Sequence, residues 1–129
     1  MTTRRILLAA FAVGRMLVGT AAGAAEMTYT PAAFEAAQKA GKPILVHITA
    51  PWCTTCAAQK PILAKLEADP KFKDLQVFDV DFDSRKDVVK QFGATMQSTL
   101  ITYKGKKETG RSAGETKPEA ISSLLDKAL

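Results

Sequence analysis

Cys53 and Cys56 are the only cysteines in the 129-residue chain, and they stand three apart. On a helix, residues at i and i+3 share a face at a separation that a disulfide can bridge. A bridge closing so short a loop adds only about 2 kcal/mol by loop entropy, against about 4.7 for a hundred-residue loop, so stapling explains the pair poorly. Thiol chemistry explains it better. Cys53 falls where a strand is expected to hand over to a helix, beside unpaired backbone N–H groups and the positive end of the helix dipole, and both favour thiolate over thiol. A thiolate whose pKa is drawn from about 8.5 toward 7 attacks a partner's disulfide. Cys56, one turn further in, then attacks the mixed disulfide and releases the partner.

Other chemistries fit less well. A structural zinc needs four ligands, and two sulfurs with the single histidine, His47, could form only a site shared between molecules. Covalent haem attachment needs Cys-x-x-Cys-His, and residue 57 is alanine. Neither metal nor other cofactor is expected. Asp79, Asp81 and Asp83 are spaced like ligands but lack the glycine and terminal glutamate of a calcium loop, so they read as the polar face of a strand end. Lys104, Lys106 and Lys107 ring a turn and read as solvated charge. His47 lies in an apolar strand. It is either a satisfied core histidine or the base that takes the proton of Cys56, a role suited to an imidazole, which titrates near about 6.5. Trp52, directly before Cys53, either caps the core or offers substrate a platform.

The elements that must position these residues follow from local pattern. Thr30-Pro31 opens a helix with an N-cap and an N1 proline, and Gly41 closes it. Ile44 to Ile48 is a buried strand. A second helix runs from about Cys53 to Ala68, with Leu63 and Leu66 on its apolar face and a kink expected at Pro61. Leu75 to Phe82 is a strand, Ser84 to Phe92 a helix stopped by Gly93, and Thr99 to Tyr103 a strand that turns at Gly105 into a hairpin with Glu108 to Ser112. Thr116-Lys117-Pro118-Glu119 reads as a capping box, opening a helix that buries Ile121, Leu124, Leu125 and Leu129. The order is α, then β-α-β-α-β-β-α, which implies an α/β fold with a parallel half and an antiparallel hairpin in one sheet, preceded by an extra N-terminal helix.

Composition narrows the field further. The chain is 47% hydrophobic and 24% charged, as an ordinary globular domain is. Its formal charge of +5 includes Arg4, Arg5 and Arg15 near the N-terminus; without them fifteen Lys and Arg face thirteen Asp and Glu. That remainder is too small and too scattered for nucleic-acid binding. Residues 1–25 read as a signal peptide: Arg4-Arg5, an apolar run from Ile6 to Gly14, then small residues with cleavage after Ala24 or Ala25. Arg15 interrupts the apolar run, which leaves an uncleaved anchor as the alternative. One domain, 26–129, follows.

From about Ala33 to Leu129 the sequence resembles the thioredoxin family. Lys42-Pro43-Ile44-Leu45-Val46-His47-Ile48-Thr49-Ala50-Pro51-Trp52-Cys53-Thr54-Thr55-Cys56 follows that family's strand and Ala-x-Trp-Cys-x-x-Cys segment. Phe92-Gly93 and Thr99 to Gly105 match its later helix end and strand-turn. The resemblance implies a thioredoxin-like fold, with a central mixed sheet flanked by helices, and thiol–disulfide exchange through Cys53 and Cys56. It further implies substrate contact through Trp52 and the loop Gln97-Ser98-Thr99. With the leader, it implies an exported, monomeric, periplasmic protein that takes electrons from a membrane thiol reductase and reduces protein disulfides. A disulfide-introducing oxidase, a non-catalytic binding module and a metal carrier are the alternatives. Oxidases of this fold usually carry a helical insertion before the next strand, and Pro70 to Leu75 leaves no room for one. Three departures stand out. Thr54-Thr55 replaces Gly-Pro, His47 replaces a buried aspartate that assists proton transfer at the second cysteine, and Ser98 replaces a cis-proline. Gln97–Ser98 is accordingly expected to be trans, with an N–H and a hydroxyl near the sulfurs that proline cannot supply.

Overall fold

The structure is a computed structural model and describes residues 23–129, so the expected leader lies outside the described residues except for its last three positions. Among the described residues, five strands form one sheet, β1 (Ala25–Thr28), β2 (Pro43–Thr49), β3 (Gln76–Asp81), β4 (Thr99–Lys104) and β5 (Lys107–Ala113), and four α-helices cover it: α1 (Pro31–Lys39), α2 (Thr54–Glu67), α3 (Lys86–Gln91) and α4 (Pro118–Asp126). The strand order is β1-β3-β2-β4-β5. β3 runs parallel to β1 and to β2, while β4 is antiparallel to β2 and β5. This is the expected mixed sheet flanked by helices, and α1 is the helix read ahead of the first buried strand.

Local chemistry accounts for most boundaries. The Thr30 hydroxyl accepts from Ala33 N–H at 3.2 Å with Pro31 at the first helical position, so α1 begins as the sequence indicates. Gly41 and Gly93 take φ of 68° and 65°, the left-handed turn that ends α1 and α3. α2 keeps its span through Pro61. The capping box does not form: Lys117 is the N-cap of α4, and the Glu115 carboxylate accepts from the N–H groups of Thr116 and Lys117 instead. Leu129 is 42% exposed, and Ala128 takes the buried place expected for it. β1 was not foreseen. Ala-Glu-Met-Thr has neither alternation nor a β-branched run, and it becomes a strand only because β3 offers it a parallel edge.

Alternation along β2 sorts its residues between two layers. Ile44, Val46 and Ile48 join Phe78, Val80 and Ile101 against Phe34 of α1 and Val88 and Val89 of α3. Leu45 joins Val77 and Leu100 against Leu63 of α2 and Ile121 and Leu125 of α4. His47 follows Leu45 on this second face, opposite Asp79 in the parallel register. A strand position thus sets a histidine beneath the helix that carries the cysteines.

Candidate active site

β2 ends at Thr49, and a short turn through Ala50, Pro51 and Trp52 delivers Cys53 as the N-cap of α2, one residue before the helix proper. Cys53 and Cys56 form a disulfide with Cα atoms 5.2 Å apart, inside the range such a bond tolerates. The backbone N–H of Cys56 donates to Cys53 Sγ at 3.0 Å. In the reduced state the same donor and the helix N-terminus favour negative charge on Cys53. Cys53 keeps 4% of its surface exposed and Cys56 none, so an incoming disulfide reaches Cys53 first. Ala50 and Phe82 pack around the pair.

Trp52 does not cap the core. It is 59% exposed, and its Nε1–H donates to Asp83 Oδ2 at 2.6 Å. Asp83 is held by a turn built on Asp81, whose carboxylate accepts from the N–H of Ser84, the hydroxyl of Ser84 and the N–H of Asp83. Those bonds, that of Ser84 N–H foremost, hold the Asp81 carboxyl below its ordinary range. The three aspartates therefore do separate work, and reading them together as a solvated strand end missed two site residues.

Gln97–Ser98 is trans, and Ser98 sits at φ 59°, in the left-handed region. Its hydroxyl is not offered to the sulfurs, because it donates to Gln97 O at 2.5 Å. Its carbonyl turns inward and accepts from Gln59 Nε2 at 3.1 Å and Gly114 N at 3.0 Å. Thr99 Oγ1 donates to Met96 O at 2.7 Å. Ser98 and Thr99 are buried, Gln97 is half-buried and Met96 is exposed, so the loop turns Met96 outward. Gln59 lies one helical turn after Cys56, which places this loop beside the start of α2.

His47 is 3% exposed, and both ring nitrogens meet partners other than the sulfurs. Nε2 meets Gln59 Oε1 at 3.1 Å, and Nδ1 faces Asp79 Oδ1 at 3.6 Å. Direct transfer of a proton from Cys56 to His47 is therefore not what the geometry offers. Burial pushes the Asp79 carboxyl up, but its interactions with His47 and Glu26 outweigh that and leave it below its ordinary range. Glu26, which lines the same pocket as Asp79, is pushed up to about 7, chiefly by its interaction with Asp79. These residues line a pocket of about 320 Å³ with Thr49, Lys60 and Glu67. A larger groove of about 690 Å³ between α2 and α4 contains neither cysteine. No group of three or more His, Cys, Asp or Glu side chains is arranged to hold a metal among the described residues.

Gln59, Asp79, Asp83 and Glu26 are the site residues that sequence reasoning missed. Only Gln59 left a signal, as a polar residue at i+3 from Cys56 and i−4 from Leu63 on the buried helix face.

The family model for thioredoxin matches residues 25–127. The chain belongs to the thioredoxin family. It is 31% identical over 101 residues to a thioredoxin of Alicyclobacillus acidocaldarius, covering 78% of this chain and 95% of that one. It is 33% identical over 106 residues to the protein disulfide-isomerase erp38 of Neurospora crassa, covering 80% of this chain and 29% of the larger protein. Among solved structures, Trxlp from Edwardsiella tarda superposes with a TM-score of 0.75 at 46% identity, covering 78% of this chain and 97% of that one. As a member of the thioredoxin family with its Cys-x-x-Cys disulfide in place, the protein is a thiol–disulfide oxidoreductase. The buried residue beneath the helix that carries the dithiol is His47, an imidazole whose two nitrogens meet different partners.

Proposed function

We propose that the protein is a periplasmic reductant: it takes electrons from a membrane thiol reductase and reduces disulfides in exported proteins through Cys53, with Cys56 as the resolving thiol. The observation that carries the reading is the position of Cys53, an N-cap sulfur that receives the Cys56 N–H and retains the pair's solvent access. Exposed Trp52 and Met96, with the backbone of Gln97, Ser98 and Thr99, offer an extended segment of substrate a surface beside it. Export rests on the leader-like residues 1–25, and the protein is taken to act as a monomer. Reduction is favoured over oxidation by the single 3₁₀ turn Pro70–Phe72 that connects α2 toward β3, where an oxidase insertion would stand.

Insulin reduction with a thiol donor tests the catalytic half. Turnover is expected from the wild type, and Cys56→Ser should accumulate mixed disulfides through Cys53; adducts that build up on Cys53→Ser instead would reverse the roles. Equilibration against glutathione tests direction, since related proteins span about −270 to −120 mV. A potential at the oxidising end would make the protein a disulfide donor.

A further inference from the structure

We propose that Gln59 is a positioning residue for protein substrates: its buried amide holds the Ser98 loop against the helix that carries the thiols, and so fixes how a protein disulfide meets Cys53. The inference rests on the reading that this loop receives an extended segment of substrate, and it names the group that keeps the loop in place.

Gln59 stands on α2, three residues after Cys56, and is fully buried. Its Nε2 faces two backbone carbonyls from segments distant in sequence, Ser98 O at 3.1 Å and Glu115 O at 2.9 Å. A flipped amide would set its oxygen against two oxygens, so the nitrogen points there, and its two hydrogens match the two acceptors. The Ser98 carbonyl also accepts from Gly114 N–H at 3.0 Å. Glu115 leads directly into α4, its carboxylate accepting from the N–H groups of Thr116 and Lys117. One amide therefore ties α2 to the loop before β4 and to the turn between β5 and α4.

This clamp accounts for a conformation that serine does not adopt by itself. Ser98 has φ of 59°, and such strain persists only where the surroundings over-determine it. An ordinary φ would turn the Ser98 carbonyl away from Gln59. An orphaned buried donor costs about as much as one left-handed residue, and the bond from Gly114 adds to the same side of the balance. Cys56 and Gln59 share one helix, so the spacing between dithiol and loop is set by that helix and this amide. In the reaction, the Cys53 thiolate bonds to one substrate sulfur as the substrate S–S bond breaks, and the other sulfur leaves as thiolate. A segment seated on Gln97, Ser98 and Thr99 presents its disulfide to Cys53 in a fixed geometry, and a misplacement of about 1 Å can cost about 100-fold. A small disulfide has no such segment and depends on Cys53 alone.

Gln59→Met keeps the side-chain length and removes both donors. Its rate of insulin reduction, divided by its rate with hydroxyethyl disulfide, should fall about tenfold below the wild-type ratio. An unchanged ratio overturns the proposal, because a glutamine that only packs would alter stability and leave the preference between substrates as it was. In the wild type, the side-chain amide hydrogens of Gln59 should exchange with solvent at least about 100-fold more slowly than those of the exposed Gln91, and fast exchange at Gln59 also overturns it. If Gln59→Met does not fold, Gln59→Glu, of the same shape, takes its place with the same direction expected. A wild type that reduces neither disulfide would defeat the reductase reading, a distinct failure, because amide exchange reports the clamp independently of turnover.

Discussion

On the α1–α3 face of the sheet, Ile44, Val46 and Ile48 meet a cluster of aromatic rings and no buried charge, whereas on the α2–α4 face the same strand presents Leu45 and then His47. Tyr29, Phe34, Phe78, Phe92 and Tyr103 pack on the first face with centroids 5.4–6.3 Å apart, mostly edge to face. The second face is apolar at the end near α4 and polar near the cysteines, where His47, Gln59, Asp79 and Glu26 follow one another. One strand separates the two because its period is two. The difference places most aromatic packing on the face away from the dithiol, and the buried polar groups on the face that carries α2.

The sharpest way to break this division is to damage each face in turn. Cys53→Ser should abolish insulin reduction while lowering the thermal midpoint by no more than about 8–16 °C, since a short-loop disulfide contributes only about 2 kcal/mol. Phe34→Ala should do the opposite. Phe34 is 7% exposed and packs edge to face with Phe78, Phe92 and Tyr103, so truncation should cost about 3–5 kcal/mol in urea unfolding. Activity per folded molecule should not change. A Phe34→Ala protein that stays folded yet loses exchange would show that the faces are coupled.

The next effect is in pH. Glu26 binds its proton more tightly in the folded chain, about 7 against an ordinary 4.5. Its contribution to stability is therefore complete below about 4.5 and is lost as pH rises through 7. Asp79 runs the other way: its folded carboxyl lies below the ordinary 3.8, so its contribution is present above that value and lost in stronger acid. Wild-type stability measured against Glu26→Gln should thus decline between about pH 4.5 and 7 and level off above. Parallel curves across that window would remove Glu26 from the pair with Asp79.

How much of this could be read from residues alone differs between the same two faces. The apolar strands, the N-cap at Thr30 and the stops at Gly41 and Gly93 are local patterns, and each is found where local rules put it. The dithiol was legible for the same reason, because its spacing and its place at a strand-to-helix junction lie within one short segment. His47–Asp79 was not. It needs the parallel register of β2 with β3, which neither strand specifies by itself. Trp52–Asp83 joins residues 31 apart in sequence, and Gln59–Ser98 joins residues 39 apart. β1 owes its form wholly to β3. The misplaced capping box has a local cause, since Glu115 reaches two N–H groups and leaves Lys117 as N-cap.

A smaller effect is expected at the rim. The bond from Trp52 to Asp83 is charge-assisted but exposed, which discounts it to about 0.5–1 kcal/mol. Asp83→Ala should slow exchange with protein substrates about threefold and leave small disulfides unaffected, because only a protein surface contacts Trp52. Trp52 is the chain's only tryptophan, so fluorescence anisotropy reports its release directly. Equal slowing toward both substrate classes would place Asp83 at the dithiol and not at the platform.

The smallest effect is expected from Ser98→Gly. Serine at φ 59° carries about 1 kcal/mol of left-handed strain, which glycine relieves. Glycine also frees the unfolded chain by about 0.4–1 kcal/mol, in the opposite direction. The hydroxyl that is lost donates only to the preceding carbonyl, and the inward Ser98 carbonyl, held by Gln59 and Gly114, belongs to the backbone and survives. Stability and exchange rate should both stay near wild type, within about 0.5 kcal/mol. Ser98→Pro should behave differently, because proline is confined to φ near about −65° and cannot occupy the observed conformation without moving that carbonyl. It should destabilise the protein by more than about 1 kcal/mol and loosen Gln59. A Ser98→Pro protein as stable as Ser98→Gly would mean that the loop does not hold its left-handed turn, and that Gln59 is oriented by Glu115 alone.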